Sequence, residues 1–184
     1  MWATSADDAS RFGDLERNCM SKAILEGCLV GLEFSRSALL RLAEDIPAES
    51  RTHQPVPGAN HLMWVLGHLA TTDDYFLSKL SGRPQKFDEE WLAKFWMGST
   101  PRADVADYPP YQQLVDIAKE RRAALTDYLR SLSDEQLAAA MPEGIASFAP
   151  SVAALPACLA AHEGLHSGQL TVQRKSLGIP PAMG

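Results

Sequence analysis

The segment at residues 151–177, SVAALPACLAAHEGLHSGQLTVQRKSL, holds the pattern on which the fold turns. It has room for about seven helical turns. Its one proline, Pro156, falls near the start, and it runs into Gly178 with Pro180 and Pro181 just beyond, which is the chemistry that stops a helix. Inside it His162 and His166 stand four residues apart. At that spacing their imidazoles leave one face about a turn apart, so two ring nitrogens can share one ion. A helix carrying such a pair on its inner face requires other helices to face it.

Those helices are legible upstream. Leu15, Met20, Ile24, Cys28, Leu32, Leu39 and Leu42 keep the spacing of a core-facing helix from Asp14 to about Asp45, and Pro47 ends it. The stretch from Arg51 to Ala59, with Pro55, Pro57 and Gly58, reads as a loop leading to Asn60 as N-cap of a second helix over about His61 to Leu80. Ser81-Gly82-Arg83-Pro84 terminates that helix. Residues 85 to 108 hold Trp91, Phe95 and Trp96 without a long period, so a short helix within an irregular crossover is expected there.

Pro109-Pro110 opens a third long helix, in which Leu114, Ile117, Ala118, Leu125, Tyr128 and Leu129 keep phase to about Leu132. Ser133 and Gln136 stand at capping-box spacing, and the last long helix follows from about Ser151. Alternating β-branched runs are absent. The expectation is an all-α four-helix bundle with long crossover connections and one or two short extra helices. It forms a single domain over residues 13–184, behind a flexible arm over residues 1–12.

With 184 residues, 46% of them hydrophobic and 22% charged, the chain can bury one core of its own. A net charge of −6, with the basic residues scattered, argues against nucleic acid as a partner. The two basic clusters, Glu120-Arg121-Arg122 and Arg174-Lys175, read as solvated helix faces. No stretch reaches the ~20 apolar residues of a membrane span, and the start of the chain, with Asp7, Asp8 and Asp14, lacks a signal-peptide layout, so a cytoplasmic protein is expected. Cys19, Cys28 and Cys158 have no metal or disulfide spacing and read as idle thiols.

His162-Glu163-Gly164-Leu165-His166 matches the H-E-x-x-H pattern of zinc proteases, yet the 18 residues after His166 contain no Asp, Glu, His or Cys to complete such a site. A third ligand must come from upstream. His68 is the best candidate, because it sits mid-helix after Trp64 and Gly67 on an otherwise apolar segment. His61, two turns or about 10 Å before His68, is too distant to share the ion and reads as a helix-start residue, and His53 reads as a loop residue. Gly164 would suit close approach of a neighbouring backbone. Gln169 and Tyr75, each seven residues from a ligand histidine, are candidates to orient a ligand or substrate, and Thr71 and Thr72 lie one turn from His68. Glu163 is a candidate base or partner to a ligand, against the plainer reading of a surface charge.

The segment Asn60-His61-Leu62-Met63-Trp64-Val65-Leu66-Gly67-His68-Leu69, the run from His162 to Leu170 and the ending Leu177-Gly178-Ile179-Pro180 together resemble the DinB-like superfamily of metalloenzymes. That resemblance implies a four-helix bundle holding one metal through a His of the second helix and an H-x-x-x-H pair of the last, here His68, His162 and His166. Relatives implied by that resemblance include thiol-dependent S-transferases and an isomerase that uses a low-molecular-weight thiol, and the three-His set leads to the expectation of a hydrolase or thiol-dependent S-transferase acting on a small molecule with one divalent ion, zinc, nickel, iron or manganese. A non-catalytic metal-binding or stress accessory protein is the alternative. A homodimer formed through the long helices is also expected.

Overall fold

The computed structural model describes the backbone of residues 6–182 and the side chains of residues 21–182. Its α-helices, in chain order, are α1 (Ala6–Glu44), α2 (Leu62–Ser81), α3 (Glu89–Phe95), α4 (Tyr111–Ser131), α5 (Asp134–Ala138) and α6 (Leu155–Ser176). There is no strand among the described residues, so the fold is all-α, with four long helices and two short ones. None of the described helices is long and apolar enough to cross a membrane.

Most boundaries follow local chemistry. Gly82 closes α2 at φ 71°, a left-handed position that glycine takes without strain. Pro110 precedes α4, and Pro156 lies in the first turn of α6. Ser133 and Gln136 form the expected capping box, each side chain bonding the other's backbone. Three boundaries differ from expectation. The N-cap of α2 is His61 rather than Asn60, because the His61 Nδ1 accepts the Trp64 N–H at 3.3 Å. The last helix begins at Leu155, after a turn over residues 151–154. Finally, α1 begins at Ala6, well before Asp14: apolar spacing marks where a helix faces a core, not how far its backbone continues. Residues 1–5 of the arm expected over 1–12, and the side chain of Cys19, lie outside the described residues. Cys28 and Cys158 are free and half-buried.

Helix α1 packs on α6 and α2 packs on α4. The apolar interior is divided in two. One cluster joins Leu25, Leu29 and Leu32 of α1 to Phe76 and Leu77 of α2, Leu125 and Leu129 of α4, and Leu155 and Leu159 of α6. The other joins Leu39, Leu42 and Ala43 to Leu62–Leu69, to Leu114 and Val115, and to Leu170. Each fully buried leucine contributes roughly 1.5–3 kcal/mol of transfer free energy. On every long helix a buried charged residue separates the residues of the two clusters: Arg36, Asp73, Arg122 and Glu163, with Asp74 also buried beside Asp73 and paired with Arg121. The bundle therefore has an ionic waist between two apolar halves.

Candidate metal centre

At the level of this waist, α2 contributes His68 and α6 contributes His162 and His166, and one ring nitrogen from each lies within 4.8 Å of the others. His162 Nε2 stands 3.3 Å from His68 Nε2 and 3.1 Å from His166 Nε2. The four-residue spacing on α6 and the mid-helix position of His68 thus converge on one point, as the sequence predicts. His61 lies outside the group and donates from Nε2 to the Arg102 carbonyl at 2.9 Å, while His53 meets Ser176 Oγ at 2.9 Å.

The ring orientations are fixed by acceptors on the far side. His68 Nδ1 donates to the carbonyl oxygen of Phe95 at 2.8 Å, and His166 Nδ1 donates to Gln169 Oε1 at 2.9 Å. Asn60 Nδ2 donates to the same Gln169 oxygen at 3.2 Å, which holds that amide in place. With their protons on Nδ1, neutral His68 and His166 both turn an Nε2 lone pair toward His162 Nε2. Only one proton on His162 could sit between them, and His162 Nδ1 is buried with no hydrogen-bond partner. Three imidazole nitrogens crowded in this way form a donor set that a cation satisfies, and imidazole suits zinc, nickel and iron.

Electrostatics agree with neutral ligands. Burial drives His68 down to about 4, against the opposing pull of the Phe95 carbonyl. Burial, then repulsion from His166 and His68, brings His162 to about 4. His166 is also lowered by burial, with Gln169 working the other way. All three rings are therefore mainly uncharged at neutral pH, the state in which an imidazole can act as a ligand without first losing a proton.

Packing around His68 is close. Trp64 stacks on its ring at 4.6 Å between centroids, and the Trp64 indole donates to Ser99 Oγ at 2.9 Å. The neighbouring Gly67 is where the backbone approach is tightest, since a Cβ built there would meet the Phe95 ring at 2.2 Å. Gly164, expected to serve such an approach, does not: a Cβ there meets nothing within 4 Å. Thr71 Oγ1 donates to the Gly67 carbonyl and accepts from the Trp91 indole, and Thr72 Oγ1 donates to the His68 carbonyl, so both hydroxyls are committed within the scaffold.

The structure distributes the three candidate catalytic residues differently. Gln169 joins the centre through His166. Tyr75 packs edge-on against Trp96 at 5.0 Å and, with Gln85, Glu89, Leu92, Ala93 and Trp96, lines a groove of about 400 Å³. Glu163 is not a surface charge; it is fully buried, because Ser35 donates to Oε2 at 2.5 Å while Arg36 Nε and Arg122 Nη2 donate to Oε1 at 2.6 and 2.9 Å. Asp73 completes this cluster, receiving Arg122 at 3.0 and 2.9 Å and Arg36 at 3.2 Å. Burial works against the Arg122 cation, but Asp73 and Glu163 prevail and raise its pKa.

Two cationic residues expected on solvated faces are thus interior. Arg122 is locked in the waist, and Arg174, 2% exposed, donates to the Leu42 and Pro180 carbonyls at 2.8 Å each and to Asp45 at 3.0 Å. The waist had a signal in the sequence: in each long helix one charged residue interrupts an apolar stripe in phase with it. The Phe95 carbonyl had none, since a main-chain acceptor carries no side-chain identity. Of the aromatics that could line a cleft or form core, Phe95 is fully buried, Phe148 packs on Phe76 at 4.4 Å, Trp91 stacks on Phe87, and Trp96 borders the groove.

A sequence model described as the DinB superfamily matches residues 31–170, which include all three histidines and more than half of the chain. No curated protein matches it.

Proposed function

The chain belongs to the DinB superfamily, and on that footing we propose that it is a metal-dependent enzyme, a hydrolase or thiol-dependent S-transferase acting on a small molecule. One observation carries the reading: three neutral imidazoles, two with tautomers fixed by outer acceptors, turn their Nε2 atoms to a common point. His68, His162 and His166 would hold one divalent ion, zinc, nickel, iron or manganese. When bound there, such an ion would supply Lewis-acid chemistry, lowering the pKa of a thiol or water.

The chain's own groups orient this chemistry. Phe95 and Gln169 fix the rings of His68 and His166, and Trp64 shields one face of His68. Glu163, whose carboxylate oxygens are both engaged, is poorly placed to act as a protease-type base. That favours a thiol nucleophile, which needs less help from a base than water does, and we assign the S-transferase reading first. Gln169 is then a positioning residue, and Tyr75 a groove residue available to a substrate. We also propose a homodimer through α1 and α6, which pack on each other and carry Val30, Phe34, Leu165 and Val172, all more than half exposed.

The test is elemental analysis of protein purified without added metal, beside His68→Ala and His166→Ala. The expected result is near one equivalent in the wild type and loss in both variants. Unchanged stoichiometry in the variants overturns the site, and a wild type that takes up no zinc, nickel or manganese overturns the enzyme reading. Light scattering of Phe34→Lys against wild type checks the dimer.

A further inference from the structure

Resting on the metal-binding reading above, we propose that Arg36, Asp73, Arg122 and Glu163 form a charge-balanced layer that sets the cation affinity of the three-His centre. Each long helix supplies one member: Arg36 from α1, Asp73 from α2, Arg122 from α4 and Glu163 from α6. Two cations and two anions sum to zero, and the adjacent buried Asp74 leaves that sum unchanged because Arg121 pairs with it at 3.1 Å. All four are at most 8% exposed, so their fields are weakly screened. Glu163 is flanked by the ligands in sequence, next to His162 and three residues before His166, and Asp73 lies five residues after His68 on the same helix.

The bonding pattern shows balance rather than surplus. Glu163 Oε1 takes both arginines and Asp73 Oδ2 takes both arginines. Arg122 Nη1 is buried with no partner, so the cluster does not over-compensate its positive members. A scaffold that existed only to hold helices together could be apolar, and replacing buried ion networks with packed hydrophobes is often neutral or stabilising. Four weakly screened charges beside three neutral imidazoles have a different consequence: the sum of those charges acts directly on a cation bound next to them. These four are positioning residues, since they touch ligand-bearing helices rather than a substrate.

The sign of the response separates this role from a purely structural one. Glu163→Gln and Asp73→Asn each leave the layer at +1, and Arg122→Gln leaves it at −1. Every one of these changes costs stability, so a structural role weakens cation binding in all three. The charge-balance role weakens it in the first two and tightens it in the third.

The experiment titrates zinc alone into metal-free, full-length protein against a competing chelator, with helical content followed by circular dichroism. Expected results are affinity about tenfold or more weaker in Glu163→Gln, about tenfold tighter in Arg122→Gln, and within about threefold of wild type in the charge-neutral double variant Glu163→Gln with Arg122→Gln. Asp73→Asn supplies the same +1 state where Glu163→Gln does not fold. Single variants of opposite sign that shift in the same direction overturn the proposal while the wild type still binds one equivalent. A wild type that binds no zinc overturns the metal reading itself and this proposal with it.

Discussion

Substituting Gly67 by alanine tests how the His68 ligand is held. The added Cβ would lie 2.2 Å from Cδ1 and Cε1 of Phe95 and 2.6 Å from Cγ, where ordinary contact begins at 3.4 Å. The ring must therefore retreat by about 1.2 Å, and it sits fully buried in a close-packed cluster with nowhere to go but outward with its own backbone. That backbone carries the carbonyl that His68 Nδ1 reaches at 2.8 Å. A retreat of about 1.2 Å takes the pair to about 4 Å, beyond hydrogen-bond range. Overpacking costs about 1–3 kcal/mol, and alanine returns about 0.5–1 kcal/mol as the better helix former. The net loss is centred on about 1 kcal/mol, with an upper end of about 2.5 kcal/mol, or roughly 2–4 °C in Tm at the centre for a domain of this size.

Loss of the outer acceptor lowers metal affinity by about 10- to 100-fold. Gly164→Ala is the control, because its Cβ meets nothing within 4 Å although it lies between the two ligands of α6. It should gain about 0.5–1 kcal/mol and keep its affinity. Thermal melts and zinc competition on both variants give the answer. Gly67→Ala with wild-type Tm and affinity would refute the reasoning, and so would equal damage in the two variants.

Gln169→Leu removes the acceptor of His166 Nδ1 from an exposed position, so zinc affinity should fall about 10- to 100-fold while urea stability moves by no more than about 0.5 kcal/mol. In metal-free protein, stability should fall with acidity. His68 goes from 6.5 unfolded to about 4 folded, so the unfolded state binds more protons between those values; the histidine contribution is complete above 6.5 and is lost toward pH 4, on the order of 3 kcal/mol for this ring. Urea midpoints of wild type and His68→Ala across that range should diverge in slope, and parallel slopes would contradict the assignment. Arg174→Met strands the Leu42 and Pro180 carbonyls at the junction of α1 and α6 and should cost about 3 kcal/mol, measured by urea unfolding.

Periodicity sufficed for the core-facing parts of the long helices and for the grouping of His68, His162 and His166, because both depend on which residue types recur on one helical face. Leu39 and Leu42, Trp64 and His68, or His162 and His166 announce a shared face by spacing alone. What stayed hidden depends on partners distant in sequence. Arg122 and Arg174 look like ordinary surface cations until α2 and α6 bring Asp73 and Glu163 against the first and α1 brings the Leu42 carbonyl against the second. Glu163 looks like the base of a protease motif until Ser35 and the two arginines occupy it. The cap at His61 displaced Asn60 because the deciding interaction is which ring nitrogen meets the Trp64 N–H. Gly67 and Gly164 are equivalent by composition, and only the position of Phe95 tells them apart.

The ionic waist also bears on how these helices find their alignment. Leucine-rich seams are forgiving: sliding one helix along its neighbours by a turn, about 5.4 Å, exchanges one leucine for another at modest cost. Here such a slide would carry Arg36, Asp73, Arg122 or Glu163 into an apolar half with its counter-charge left behind. Breaking a buried pair in that manner costs about 3–5 kcal/mol, so each misaligned bundle is penalised on whichever helix has moved. The charges act as detents, and the one alignment they permit is the one that brings His68 level with His162 and His166.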